Sequence, residues 1–185
     1  HSYRHIDLTL HTSISFENEL ISVKSKLENI ISDSIMGFRM PNLIIEDWVK
    51  EVLIKTGFKY DSSICPSRPL TGKFGKFIGY PIYPYTTQKN NFMPGDSDFW
   101  EFPLPIVPFI KLPGGTGNVT RAFGHLWTAS ALNYIRYKGG IPSYYFHPWE
   151  LSEVPKFIDT KSLYKKLFTR RTGPWFVKYL NGLLK

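Results

Sequence analysis

The sequence predicts an α/β fold with parallel strands, and three observations predict it. The first sixty residues alternate helix and strand patterns in the order helix, strand, helix, strand. The strand candidates are short apolar runs closed by Gly, Pro or Ser clusters. The 185 residues, 42% hydrophobic and 16% aromatic, suffice for one ordinary domain with its own core, and no long polar tract suggests disorder.

Taken in order, the first helix is expected to start at Ser15 as N-cap, with Glu17 and Glu19 in its first turn. Phe16, Leu20, Val23, Leu27, Ile30 and Ile31 follow steps of three and four. Ser32, Asp33 and Ser34 end it. Residues 35–39 read as a buried strand closed by Met40-Pro41-Asn42. Ile44, Ile45, Trp48, Val49, Val52 and Leu53 give a second helix one face, and Gly57 stands at its C-cap. Phe58-Lys59-Tyr60 is the next strand. From Cys65 to Gly95 the chain is rich in Pro, Gly and Tyr, with Gly72, Gly75 and Gly79, which predicts a functional loop or a small hairpin.

Residues 99–104 read as a strand entering a turn. A third helix carries Phe123, Leu126, Trp127, Ala131, Leu132 and Ile135 and stops at Lys138-Gly139-Gly140. Residues 141–146 are an aromatic strand ending in His147-Pro148-Trp149-Glu150. Residues 160–185 read as helical and basic, with a break at Gly173-Pro174. There is no internal repeat.

The 23 Lys and Arg against 15 Asp and Glu leave a net charge of +8, part of it in Lys161, Lys165, Lys166, Arg170 and Arg171. Without a helix-turn-helix, zinc-finger or RNA-binding signature, this predicts a solvated basic face and no nucleic-acid partner. Cys65 is the sole cysteine, so neither a disulfide framework nor a cysteine metal site exists within the chain. No stretch is long and apolar enough to span a bilayer. Compartment stays open between cell envelope, secreted and cytoplasmic, and oligomeric state is unknown.

Working residues of parallel α/β folds gather at the C-terminal ends of strands, which selects Arg39, Trp100 and His147. His1 and His5, four apart, are competent zinc ligands, although the spacing taken alone favours a pair of polar loop residues. His11 is expected as a polar loop residue and His125 as a packing residue of the third helix.

Together, HSYRH, then GFRMPN after a helix, YDSS after another, and a strand ending in YFHPWE resemble the polysaccharide deacetylase family, the NodB-homology carbohydrate esterases. WEFPLP and HPWE look most like the branch from bacterial and archaeal surface-polysaccharide clusters. The resemblance implies an incomplete (β/α) barrel of the NodB-homology type over residues 1–151, lacking its first strand or strands. Residues 152–185 are then a basic, helical C-terminal extension packed on it.

It also implies metal-dependent N-deacetylation of acetamido groups on the sugars of a surface glycan or exopolysaccharide. His1 and His5 would be two of three ligands to a divalent metal, zinc first, with cobalt, nickel or manganese as alternatives. The family's third ligand and its catalytic base are aspartates expected upstream of His1, so the chain by itself is expected to be inactive. Arg39 of Arg-x-Pro would orient that base, the Asn42 backbone N–H would hold the oxyanion, and His147 would be the general acid. Trp100, Tyr145 and Trp149 would contact substrate, with Tyr145 and Ser143 standing where the family has leucines of an acyl pocket. The alternatives are a catalytically silent glycan-binding barrel and a small cyclic-amide hydrolase of the same superfamily.

Overall fold

The computed structural model describes residues 1–5, 8–69, 75–153 and 163–183, so Gly72, Lys161 and the ends of the basic C-terminal segment lie outside the described residues. Its first helix, α1 (Ser13–Ile31), starts three residues before the expected point because Thr12, not Ser15, is the N-cap. The Thr12 side chain accepts from Ser15 N, and Ser15 Oγ in return accepts from Thr12 N, so the residue read as the cap is the far half of a capping box. Removing the Thr12 oxygen in Thr12→Ala is expected to destabilise α1 by about 0.5–2 kcal/mol, read as a lower urea midpoint.

Residues 1–65 and 77–103 form one compact unit, and residues 66–76 and 104–185 form a second. In the first, four short strands make a sheet in the order β1-β2-β4-β3: β1 (Gly37–Phe38), β2 (Tyr60–Asp61), β3 (Tyr85–Thr86) and β4 (Trp100–Glu101). β1, β2 and β4 run parallel, and β3 pairs antiparallel with β4. The molecule is thus a mixed α/β protein with a parallel-strand sheet.

Helix α2 (Asp47–Lys55) is shorter than its apolar face suggested, because Ile44 and Ile45 lie in irregular chain before it. Ile45, Val49, Val52 and Leu53 still enter the core with Phe16, Leu20, Phe38, Met40, Phe58, Ile64, Phe92 and Phe99. Only the first two apolar steps of α1 are buried. Leu27, Ile30 and Ile31 are exposed, so the helix outruns the core it packs on.

Lys50 is buried on α2, where its Nζ donates to the Gln88 and Asn91 carbonyls and ties down the loop before β4. Burial pushes its ammonium down to about 8, partly opposed by Asp47, and either protonation state still donates. Lys50→Met keeps the stem but orphans both acceptors. The expected cost is about 1–3 kcal/mol in urea unfolding.

In the second unit, β5 (Ile106–Val107) and β6 (Leu112–Pro113) form a hairpin. The third helix divides at Gly124 (φ 95°) into α3 (Gly117–Phe123) and α4 (His125–Tyr137). Thr128, Ala131, Leu132 and Ile135 are the buried face of α4. A Cβ on Gly114 would lie 2.4 Å from the Ala131 Cβ, so only glycine lets the β6 exit pass this helix. His125, expected to be packed, is exposed because it opens α4 rather than lying on its inner face. The expected aromatic strand over 141–146 reduces to one parallel bridge, Thr116 to Tyr145. Helices α5 (Leu163–Thr169) and α6 (Pro174–Leu183) follow, separated at the expected Gly173-Pro174 break. Among the described residues no helix is long and apolar enough to cross a membrane.

Candidate functional site

In the first unit the end of β1 leads into the Arg39-Met40-Pro41-Asn42 turn. Asn42 (φ 57°) and Leu43 (φ 59°) both adopt left-handed backbone, a conformation that costs a non-glycine residue about 1–2 kcal/mol. The next strand exit holds this turn in place. Arg39 Nε donates to Ser62 O at 2.7 Å and its guanidinium to Ser62 Oγ at 2.5 Å. Met40 N donates to Ser63 Oγ at 2.7 Å. The YDSS segment, whose residues were assigned no roles from sequence, is therefore the support of the Arg-x-Pro turn.

Beneath it lie two fully buried carboxyls in register on neighbouring strands, Asp61 and Glu101. Asp61 accepts from Ser63 N and Ser63 Oγ, both at 2.8 Å, and Glu101 accepts from Ile64 N at 3.0 Å. Burial raises both carboxyls. For Glu101, driven well above the usual carboxylate range, repulsion from Asp61 adds to it. Two anions so placed cannot both stay ionised at low cost, so Glu101 holds a proton beside Asp61.

With raised values in the folded state, the pair binds protons more tightly than the unfolded chain does. Its contribution is fully present below about pH 4 and is lost as pH rises through the raised values. Glu101→Gln should flatten that loss. Urea unfolding from acid to neutral pH measures it, and an unchanged slope would place the pH dependence elsewhere.

His1 and His5 are exposed and face each other edge-on, ring centroids 5.0 Å apart. His1 Nδ1 donates to Arg39 O at 2.7 Å, which leaves Nε2 as the lone-pair nitrogen. The sequence-selected His1, His5 and Arg39 thus meet at one place, reached through the Arg39 backbone rather than its side chain. Asn42 is exposed two residues beyond Pro41's predecessor, on the same turn. Trp100 is 44% exposed on β4, its ring tilted against Phe102 at 6.3 Å.

The second unit gathers Tyr145, His147 and Trp149. The bridge to Thr116 fixes the strand-like segment: Gly117 N donates to Tyr145 O at 2.7 Å and Tyr145 N to Gly115 O at 3.0 Å. His147 Nδ1 lies 3.0 Å from Glu150 Oε1 and His147 Nε2 lies 2.5 Å from Tyr145 Oη. Trp149 stacks on the imidazole at 5.8 Å between centroids and is 38% exposed.

Glu150 and Arg121, to which sequence reasoning gave no role, complete this group. Both side chains are wholly buried and pair at 2.9 Å. Burial pushes the Glu150 carboxyl up, but hydrogen bonds from His147 and Arg121 outweigh it and hold it below the usual range. The carboxylate that meets His147 is therefore three residues away in HPWE. One signal was available in the sequence: the glutamate three residues after a histidine at the head of a short turn has capping-box spacing.

Residues 62–174 match the family model described as a domain of unknown function, DUF3473. No curated protein matches the chain. Among solved structures, one described as a candidate polysaccharide deacetylase from Mycobacterium smegmatis is similar, with 19% identity and a TM-score of 0.53 over 80% of this chain and 48% of that one. A 4-alpha-glucanotransferase from Thermococcus litoralis is 12% identical, with a TM-score of 0.47 over 95% of this chain and 25% of that one. The chain spans about half the length of the first of these. The first match shows a fold shared with that structure over 80% of this chain. With more than half of its length matched, the chain belongs to the DUF3473 family.

Proposed function

We propose that this chain is part of a metal-dependent polysaccharide N-deacetylase, a hydrolase of the amide bonds of N-acetylated sugars, built on an incomplete NodB-type barrel. The observation that carries the reading is the meeting of His1, His5 and the Arg39 turn, with the His1 tautomer set by the Arg39 carbonyl. The donor chemistry suits a divalent ion, zinc first and cobalt, nickel or manganese next. Metal-binding histidines characteristically donate their second ring nitrogen to a carbonyl or carboxylate, as His1 does. Among the described residues no cluster of three His, Cys, Asp or Glu exists. His1 and His5 are thus proposed as two of the three protein ligands that a catalytic zinc normally has. The third ligand and the general base would come from outside the described residues.

When bound, the metal would supply Lewis-acid polarisation. The chain's own residues do the rest. His147 gives a proton to the leaving amine. The Asn42 backbone N–H, on the left-handed turn, donates to the oxyanion. Arg39, its guanidinium already anchored on Ser62, is the residue that would orient a catalytic carboxylate. Trp100 and Trp149 offer aromatic faces to pyranose rings. Their partial exposure favours a polymer over a small cyclic amide.

The test is a zinc titration of the natural protein that carries this chain, followed by calorimetry, with His1→Ala and His5→Ala beside the wild type. The proposal expects each variant to lose most of the affinity. Equal affinity in all three would remove the metal role from this pair.

A further inference from the structure

Resting on the deacetylase reading, we propose that Tyr145, His147, Glu150 and Arg121 form a proton relay whose outer atom is the Tyr145 hydroxyl, with Glu150 and Arg121 as its positioning residues. An ionised carboxylate only accepts, so the 3.0 Å contact to Glu150 Oε1 places the proton of neutral His147 on Nδ1. The same oxygen accepts from His147 N at 3.0 Å, gripping ring and backbone together. The other oxygen, Oε2, is held by Arg121 Nε at 2.9 Å. Arg121 is fixed in turn by Asn118 Oδ1 at 2.7 Å and Arg170 O at 3.2 Å, with its guanidinium 4.8 Å from the Trp149 ring centroid. A Cβ at position 117 would lie 2.2 Å from Glu150 Oε2, so the glycine there leaves the space in which the carboxylate sits.

With Nδ1 on Glu150, the remaining nitrogen, Nε2, meets Tyr145 Oη at 2.5 Å. Both ring nitrogens are engaged. A proton that leaves the imidazole for substrate must therefore cross Tyr145 Oη. In the proposed step, imidazolium Nε2–H passes to Oη while the Oη proton passes to the departing amine nitrogen as its bond to the acyl carbon breaks. Tyr145 remains a neutral phenol, His147 is left protonated on Nδ1, and a solvent proton restores the imidazolium. Tyr145 is half-buried, held at its backbone by Gly115 and Gly117, so its hydroxyl is positioned rather than free to swing.

Two measurements on the natural protein that carries this chain decide the matter. Imidazole 15N NMR of neutral His147 should show the Nδ1–H tautomer, and Glu150→Gln should convert it to a tautomer mixture. An Nε2–H tautomer in the wild type overturns the positioning role. In acetate-release kinetics, Tyr145→Phe should lower kcat by about 10²-fold or more, and the double variant with His147→Ala should be no slower than His147→Ala alone, as for groups that act as a unit. Full rate in Tyr145→Phe, with an active wild type, overturns the relay and leaves the deacetylase reading standing. A wild type that releases no acetate overturns that reading and the relay together.

Discussion

Replacing His147 with alanine is expected to lower kcat for deacetylation by about 10²–10⁴-fold, with a much smaller change in KM. The imidazole is the proposed proton source for the leaving amine, a role exercised in the transition state and not in binding, so the loss belongs in kcat. Its surroundings strengthen the expectation: a tyrosine hydroxyl on one ring nitrogen, a buried carboxylate on the other, and Trp149 stacked on its face. A surface histidine kept for solubility would have none of these. Steady-state kinetics on an N-acetylated oligosaccharide provides the check, and an unchanged kcat would remove His147 from the chemistry.

The largest expected effect on stability comes from Arg121→Met. It leaves Glu150 ionised, wholly buried and without its cationic partner, which typically costs about 3–5 kcal/mol. Urea unfolding should show a lower midpoint with an unchanged slope. The acid side supplies a second readout. Because the Glu150 carboxyl is held below its ordinary value, its stabilising contribution is present above about pH 4.3 and is lost as pH falls through the lowered value. In Arg121→Met that acid-side loss should shrink, since much of what lowered the carboxyl is gone. Adding Glu150→Leu should recover part of the stability, because removing both charges is far cheaper than stranding one.

Much of the first unit was legible because its code is local. The periods of three and four in α1 and α2, the left-handed Gly57 just past the Thr56 C-cap of α2 and the short apolar runs at β1 and β2 are written in neighbouring residues. The errors were local too: Ser15 for Thr12 is a choice between two halves of one capping box. The second unit was harder to read, since its order rests on distant partners. Tyr145 is held by Gly115 and Gly117 instead of by a strand neighbour, so an aromatic, β-prone run becomes a single bridge. For the same reason nothing near Arg121 in the sequence marks it as buried. Its burial depends on Glu150, which is remote in sequence and adjacent in space.

The candidate site shows the same division. His1, His5, Arg39 and His147 were selected by motif spacing and strand ends and Asn42 by the family resemblance, and the structure joins His1, His5 and Arg39 through the Arg39 carbonyl. What spacing did not carry was the support: Ser62 and Ser63 under the Arg-x-Pro turn, the buried Asp61 and Glu101 pair, and Glu150 behind His147. Supports of this kind are chosen by three-dimensional fit, so they leave little trace in a single sequence.

The central claim is metal-dependent N-deacetylation, and acetate release from an N-acetylated oligosaccharide by the natural protein that carries this chain tests it most directly. The account predicts release that stops on chelation and returns when zinc is restored. Release that persists undiminished in excess chelator, or none with zinc in excess, would contradict it.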